Sequence, residues 1–213
     1  MFNNLEQALK TGFIDKDFSS DERLQPRLLL NDKYTGTKVL SSLLEALDTC
    51  DEFWFSVAFV TRGGLACIHN KLIELEAKGT KGKILVSQYL NFTEPEALRF
   101  LHRFHNIETR FIQDHSFHGK GYMFKNSERY ELIIGSSNLT GGALCENAEL
   151  NLKLTSSDNS GLIYETINSF GKFFEMADPL TPNLISNYED TYKRHRQDHP
   201  QFYSKKQSPG LSD

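Results

Sequence analysis

The run Phe53-Trp54-Phe55-Ser56-Val57-Ala58-Phe59-Val60 is apolar at all but one of its positions. Successive side chains of a strand point to opposite faces, so this run is apolar on both faces. Such a strand belongs at the centre of a sheet with helices packed on each side. The hydrophobic spacing around it alternates between strand and helix periods. It predicts a short leading helix near Leu5, Ala8 and Leu9, a strand over 27–30 and a helix over about 37–47. Gly63-Gly64 opens a helix to about residue 78, with Leu65, Ile68, Leu72 and Leu75 on one stripe. A strand over 83–86 follows, then a helix introduced by Thr93-Glu94-Pro95, read as a cap and an N1 proline, then a strand over 107–112. The pattern then changes. Residues 117–124, 130–135 and 148–154 are strand-like with no long helix between them, and helices are expected over about 161–176 and 184–196. The fold class predicted is α/β, one mixed β-sheet flanked by helices on both faces. The domain is expected to span residues 1–195, with 196–213 a polar tail or linker.

Composition narrows what such a chain does. Of 213 residues, 38% are hydrophobic, with 16 Phe and 8 Tyr, stock enough for a core and against wholesale disorder. No stretch reaches the roughly 18 consecutive apolar residues of a membrane-spanning helix. The opening Met1-Phe2-Asn3-Asn4-Leu5-Glu6 lacks the basic and apolar regions of a signal peptide. Three cysteines, Cys50, Cys67 and Cys145, fit buried small side chains in a cytoplasmic protein, with neither a disulfide framework nor zinc-ligand spacing. The net charge of −4 argues against coating nucleic acid by bulk charge, yet allows positive charge concentrated in one cleft.

Three short segments carry chemistry. In His118-Gly119-Lys120 the histidine and lysine share one face if the segment is a strand. Gly135-Ser136-Ser137-Asn138 ends an apolar run with backbone N–H groups and short polar side chains at a turn, where an anion can be held. Glu149 alternates with Leu150, Leu152 and Leu154 and faces away from them. A neutral histidine can attack phosphorus, a carboxylate can fix its tautomer, and lysine and asparagine can hold the phosphate oxygens. No carboxylate cluster for Mg²⁺ stands beside them, so the cations would be side chains and neither a metal nor a cofactor is expected. His69-Asn70-Lys71 repeats the spacing inside a predicted helix, where residues two apart face different ways, and reads as surface decoration. His115 reads as a loop residue, Thr61-Arg62-Gly63-Gly64 as a plain helix start, and Lys193-Arg194-His195-Arg196 as a solvated charge run. Phe53, Trp54, Phe55 and Phe59 read as core aromatics.

His-x-Lys, then Gly-Ser-x-Asn, then a downstream Glu resembles the signature of the phospholipase D superfamily, nearest to its HKD-family nuclease branch. More narrowly, the chain resembles the phospholipase D-like domain at the N-terminus of some bacterial superfamily II helicases. There the runs Ser56-Val57-Ala58-Phe59-Val60-Thr61, Ser87-Gln88-Tyr89-Leu90-Asn91-Phe92-Thr93-Glu94-Pro95 and Gly135-Ser136-Ser137-Asn138-Leu139-Thr140 have close counterparts. The resemblance covers residues 1 to about 195. It implies that His118 is the nucleophile of a phosphohistidine intermediate, that Lys120 and Asn138 bind phosphate with support from Ser136, and that Glu149 orients His118. The superfamily site uses two such motifs and this chain carries one, so a homodimer pairing two His118 side chains is implied. The family's Asp after the lysine is here Lys125.

The function expected is a metal-independent phosphodiesterase, a DNA nuclease most active near pH 6 to 7, where one histidine is neutral and the other protonated. The alternative is a catalytically weak nucleic-acid-binding module of a helicase or restriction and repair system, with a helicase as partner. Lipid hydrolysis ranks last, because the sequence offers no obvious membrane-docking segment and no stable membrane association is expected.

Overall fold

The computed structural model describes residues 23–127, 129–158 and 160–202. The leading helix expected near Leu5 lies outside them. The elements in chain order are β1 (Arg27–Leu29), α1 (Val39–Thr49), β2 (Glu52–Val57), α2 (Arg62–Lys78), β3 (Lys81–Ser87), α3 (Pro95–Leu101), β4 (Ile107–Ile112), β5 (Gly121–Asn126), β6 (Arg129–Gly135), α4 (Gly141–Cys145), β7 (Asn151–Ser157), α5 (Gly161–Met176), β8 (Asp178–Pro179) and α6 (Pro182–Asp198). Eight strands form one sheet in the order β1-β7-β6-β5-β2-β3-β4-β8. β2, β3 and β4 run parallel, joined through α2 and α3, and the remaining pairings are antiparallel. The β/α half and the strand-rich half of the sequence form the two halves of this mixed sheet, except that the edge strands β1 and β8 each join the opposite half.

The two-sided run sits where its composition requires. Phe53, Phe55 and Val57 point into the main core with Leu43 and Leu47 of α1, Leu65, Ile68 and Leu72 of α2, Leu98 of α3, and Ile185 and Tyr188 of α6. Trp54 points to the other face, half-buried beside Tyr130 and Ile163 of α5. That second face is covered by α5 alone among the helices named here, and Leu85 packs there against Phe174. Phe59 is half-buried against Phe92.

Several expectations are corrected. The strand over 117–124 begins at Gly121, so His118, Gly119 and Lys120 lie in the loop before it. β5 begins at Gly121, the first residue paired with Ser56 of β2 and Ile134 of β6, and one residue earlier neither Val57 nor Gly135 has a partner on this segment. The strand over 148–154 begins at Asn151, leaving Glu149 and Leu150 in the preceding loop. Thr93 does not cap α3. Its hydroxyl, buried, donates to the Ser87 carbonyl at 2.9 Å, and Glu94 takes the cap position without a side-chain bond. Of the cysteines only Cys50 is buried, while Cys67 and Cys145 are half-buried at the margin of the core. The last helix runs on to Asp198. No helix among the described residues is long and apolar enough to cross a membrane.

Candidate active site

One end of the sheet gathers the three segments. Beyond Gly121 the chain turns into Lys120 and His118, beyond Ile134 come Gly135 and Ser136, and beyond Val57 come Ala58 and Phe59. Asn138 ties two of these together, because its buried Oδ1 accepts from the backbone N–H of Ala58 at 3.0 Å and of Phe59 at 3.2 Å. Spending Oδ1 on the backbone fixes the carboxamide and leaves Nδ2 as its donor end. Ser137 is locked from both sides. Its N–H and hydroxyl bond the Asn151 carboxamide at 3.2 and 2.9 Å, and its carbonyl accepts from the buried Tyr122 hydroxyl at 3.0 Å. Burial pushes the Tyr122 hydroxyl far above its ordinary value, so it stays a donor.

Gly135 is required by close approach. A β-carbon there would lie 2.3 Å from the Leu150 carbonyl oxygen and 2.5 Å from Asn151 Oδ1. Ser136 closes the loop on the same side: its N–H donates to the Leu150 carbonyl, its Oγ accepts from the Leu150 N–H at 3.0 Å, and its hydroxyl donates to Glu149. Glu149 therefore holds Ser136. No hydrogen bond joins it to His118 among the described residues, in contrast to the orienting role the resemblance implies.

His118 is exposed, and its ring lies on that of Tyr89 with centroids 4.2 Å apart. Buried Ser87, at the end of β3, secures both partners. Its hydroxyl donates to the Phe117 carbonyl at 3.0 Å and accepts from the Tyr89 N–H at 2.9 Å. Tyr89 opens a turn whose Leu90 and Asn91 have φ of 49° and 52°, conformations non-glycine residues seldom adopt. Sequence reasoning assigned Ser87 and Tyr89 no role. The signal available was the quoted run from Ser87 to Pro95, which marked the segment but not what its side chains touch.

Partial burial, and then the charge of Lys120, hold the His118 imidazole below its ordinary pKa, which favours the neutral form. Burial likewise lowers Lys120, and the Glu149 carboxylate opposes that shift. Lys120 Nζ donates to the His118 carbonyl at 2.8 Å. The arrangement thus combines a ring able to act as a base or nucleophile with a cation, a carboxamide N–H end and a hydroxyl. Among the described residues, no group of three or more His, Cys, Asp or Glu side chains is placed to hold a metal ion.

The other marked residues lie outside this cluster. Lys125 sits five residues past Lys120, roughly 17 Å along the strand at the usual rise, and its carbonyl accepts from the Asp51 N–H. His69 is on α2 with its ring edge to Phe100, and Lys71 pairs with Asp48 and Glu74. At the start of α2 the Arg62 N–H donates to Glu94 and the Gly64 N–H to Thr61 Oγ1, which fits a plain helix start. Lys193 pairs with Glu189 on α6.

Fold and cluster together define a mixed-sheet α/β protein with a polar sheet end suited to holding an anion beside an imidazole. The sequence matches the family model described as cardiolipin synthase, PLD-like domain, over residues 43–175, and the chain belongs to this phospholipase D-like family. Solved structures agree on the fold. NucT from Helicobacter pylori superposes with a TM-score of 0.56 at 17% identity, covering 73% of this chain and 98% of that one. Nuc from Salmonella typhimurium, a phospholipase D family member, gives 0.57 at 17% identity over the same shares. Phosphatidylserine synthase from Haemophilus influenzae Rd KW20 gives 0.58 at 14% identity, covering 88% of this chain and 52% of that one. A search of curated proteins finds no match.

Proposed function

We propose that the protein is a metal-independent phosphodiesterase that cleaves DNA through a phosphohistidine at a homodimeric site. The observation that carries the reading is the state of His118: an exposed imidazole, seated on Tyr89, biased to the neutral form beside Lys120. A neutral ring nitrogen attacks phosphorus while Lys120, Asn138 Nδ2 and Ser136 hold the non-bridging oxygens. The P–O bond to the leaving strand breaks, and the partner's His118 gives its proton to the departing oxygen. The same imidazole, now neutral, takes a proton from water as that water attacks phosphorus and releases His118.

Two observations support the two-fold arrangement. The match covers 98% of the Nuc and NucT chains but 52% of phosphatidylserine synthase, which supports reading this chain as one unit of a site that needs two. An apolar belt also adjoins the cluster. Leu28, Ile134, Leu150 and Leu152 are 59%, 44%, 62% and 37% exposed, and Leu152 stands in register with both Leu28 and Ile134. Contiguous exposed apolar surface of this kind marks an interaction face, and a second copy seated on it would bring a second imidazole towards the first.

The test is cleavage of labelled single- and double-stranded DNA in EDTA. We expect turnover in EDTA, a loss of at least about a thousand-fold in His118→Ala, and no choline release from phosphatidylcholine vesicles. Dependence on added Mg²⁺, or undiminished activity in His118→Ala, would overturn the mechanism. Salt-sensitive DNA binding with no turnover would favour the binding-module reading instead.

A further inference from the structure

Between the sheet and α5 lies a cleft of about 340 Å³, within the usual size of a small-ligand pocket, and Lys120 forms part of its wall. We propose that this cleft is a nucleobase subsite, taking the base of a nucleotide whose phosphate lies at Lys120. The inference rests on the nuclease reading and adds to it where the substrate strand is gripped. Gly119 and Gly121 line the wall on either side of Lys120 and present no side chains. Much of the interior is apolar. Trp54 and Met123 rise from the sheet, and Phe117 meets Phe173 edge to face at 5.1 Å.

Three further lining residues decide the occupant. Ser56, Glu165 and Ser169 also face the cleft, and their side chains make no hydrogen bond to the described residues. An acyl chain would satisfy the aromatic wall but offer no hydrogen-bond partner to half-buried Ser56 or to Glu165 and Ser169 on the exposed side. A base has apolar faces for the aromatic wall and an edge of N–H and carbonyl groups for the polar one. Stacking of this kind is worth about ten-fold or more in affinity per base and tolerates different sequences.

The protein carries its own probe, because Trp54 is its single tryptophan and lines the cleft. In full-length His118→Ala protein, used so that the ligand stays whole, a short deoxyoligonucleotide should change Trp54 emission saturably. The same oligonucleotide with its bases removed should bind roughly ten-fold more weakly. Ser169→Phe, a substitution at an exposed helix position that fills the cleft, should remove that difference while leaving the abasic affinity unchanged.

Equal affinity of the two oligonucleotides would overturn the proposal. So would Trp54 emission that responds to phosphatidylglycerol vesicles and not to oligonucleotide, or that follows protein concentration alone. Base-dependent binding without any DNA cleavage would sink the nuclease reading and leave the subsite standing. Cleavage with base-independent binding would do the reverse.

Discussion

His118 can attack phosphorus only while its imidazole is neutral, and its surroundings favour that state in two ways. Partial burial penalises the imidazolium, and the neighbouring Lys120 charge repels it. Both effects depress the folded-state pKa below 6.5, so the attacking ring is available at neutral pH. The acid limb of the activity profile should accordingly lie below pH 6.5. Substituting Lys120→Gln removes one of the two causes. The His118 titration followed by proton NMR should then move upward, stopping short of the ordinary value because burial remains. An unchanged or lower His118 titration would contradict this account of its neutrality. Lys120, Ser136 and Asn138 were recognisable from their spacing because short motifs record local chemistry. Tyr89 and Ser87 were not, because a ring stacked across a turn leaves no periodic trace in sequence.

At the scale of elements, the site depends on strand ends that stop in step. β5 enters the sheet at Gly121 and β6 leaves it at Gly135, and the chain before the one and after the other forms one rim. Gly135 admits the Leu150 carbonyl where a side chain would stand. Gly135→Ala should therefore push β6 and β7 apart at the rim, lowering stability by about 1–3 kcal/mol and activity by more than the fraction of unfolded protein explains. Urea unfolding and kcat/KM measured together check this. Wild-type values in both would mean the close approach is not needed. Hydrophobic period located β2 and the longer described helices well but not the short α4, because burial on one or two faces is written directly into residue type over several turns. It overran at 117–120 and 148–150, because apolar residues continue beyond the paired stretch of each strand. Phe117 and Leu150 extend the pattern, yet nothing pairs with them as strands. The sheet order was likewise not legible, since it rests on pairings between distant segments such as β1 with β7.

At the scale of the whole molecule, a net charge of −4 coexists with a candidate site built around one lysine and one imidazole, so on the proposed function an anionic substrate is held by local charge. On the proposed mechanism the single motif is short of a proton donor, and the apolar belt around Leu152 is the surface through which we propose a second chain supplies it. Leu152→Glu sets a charge at the centre of that belt without touching the cluster. It should yield a monomer by light scattering and lower cleavage at least about a hundred-fold, with helical content unchanged. A dimer of wild-type activity would place the contact elsewhere. The account as a whole turns on a covalent bond between phosphorus and His118. Acid quenching during turnover, followed by mass spectrometry of the digested protein, should find a nucleotide adduct on the peptide carrying His118. Cleavage proceeding with no adduct there, or with one on a different residue, would contradict it.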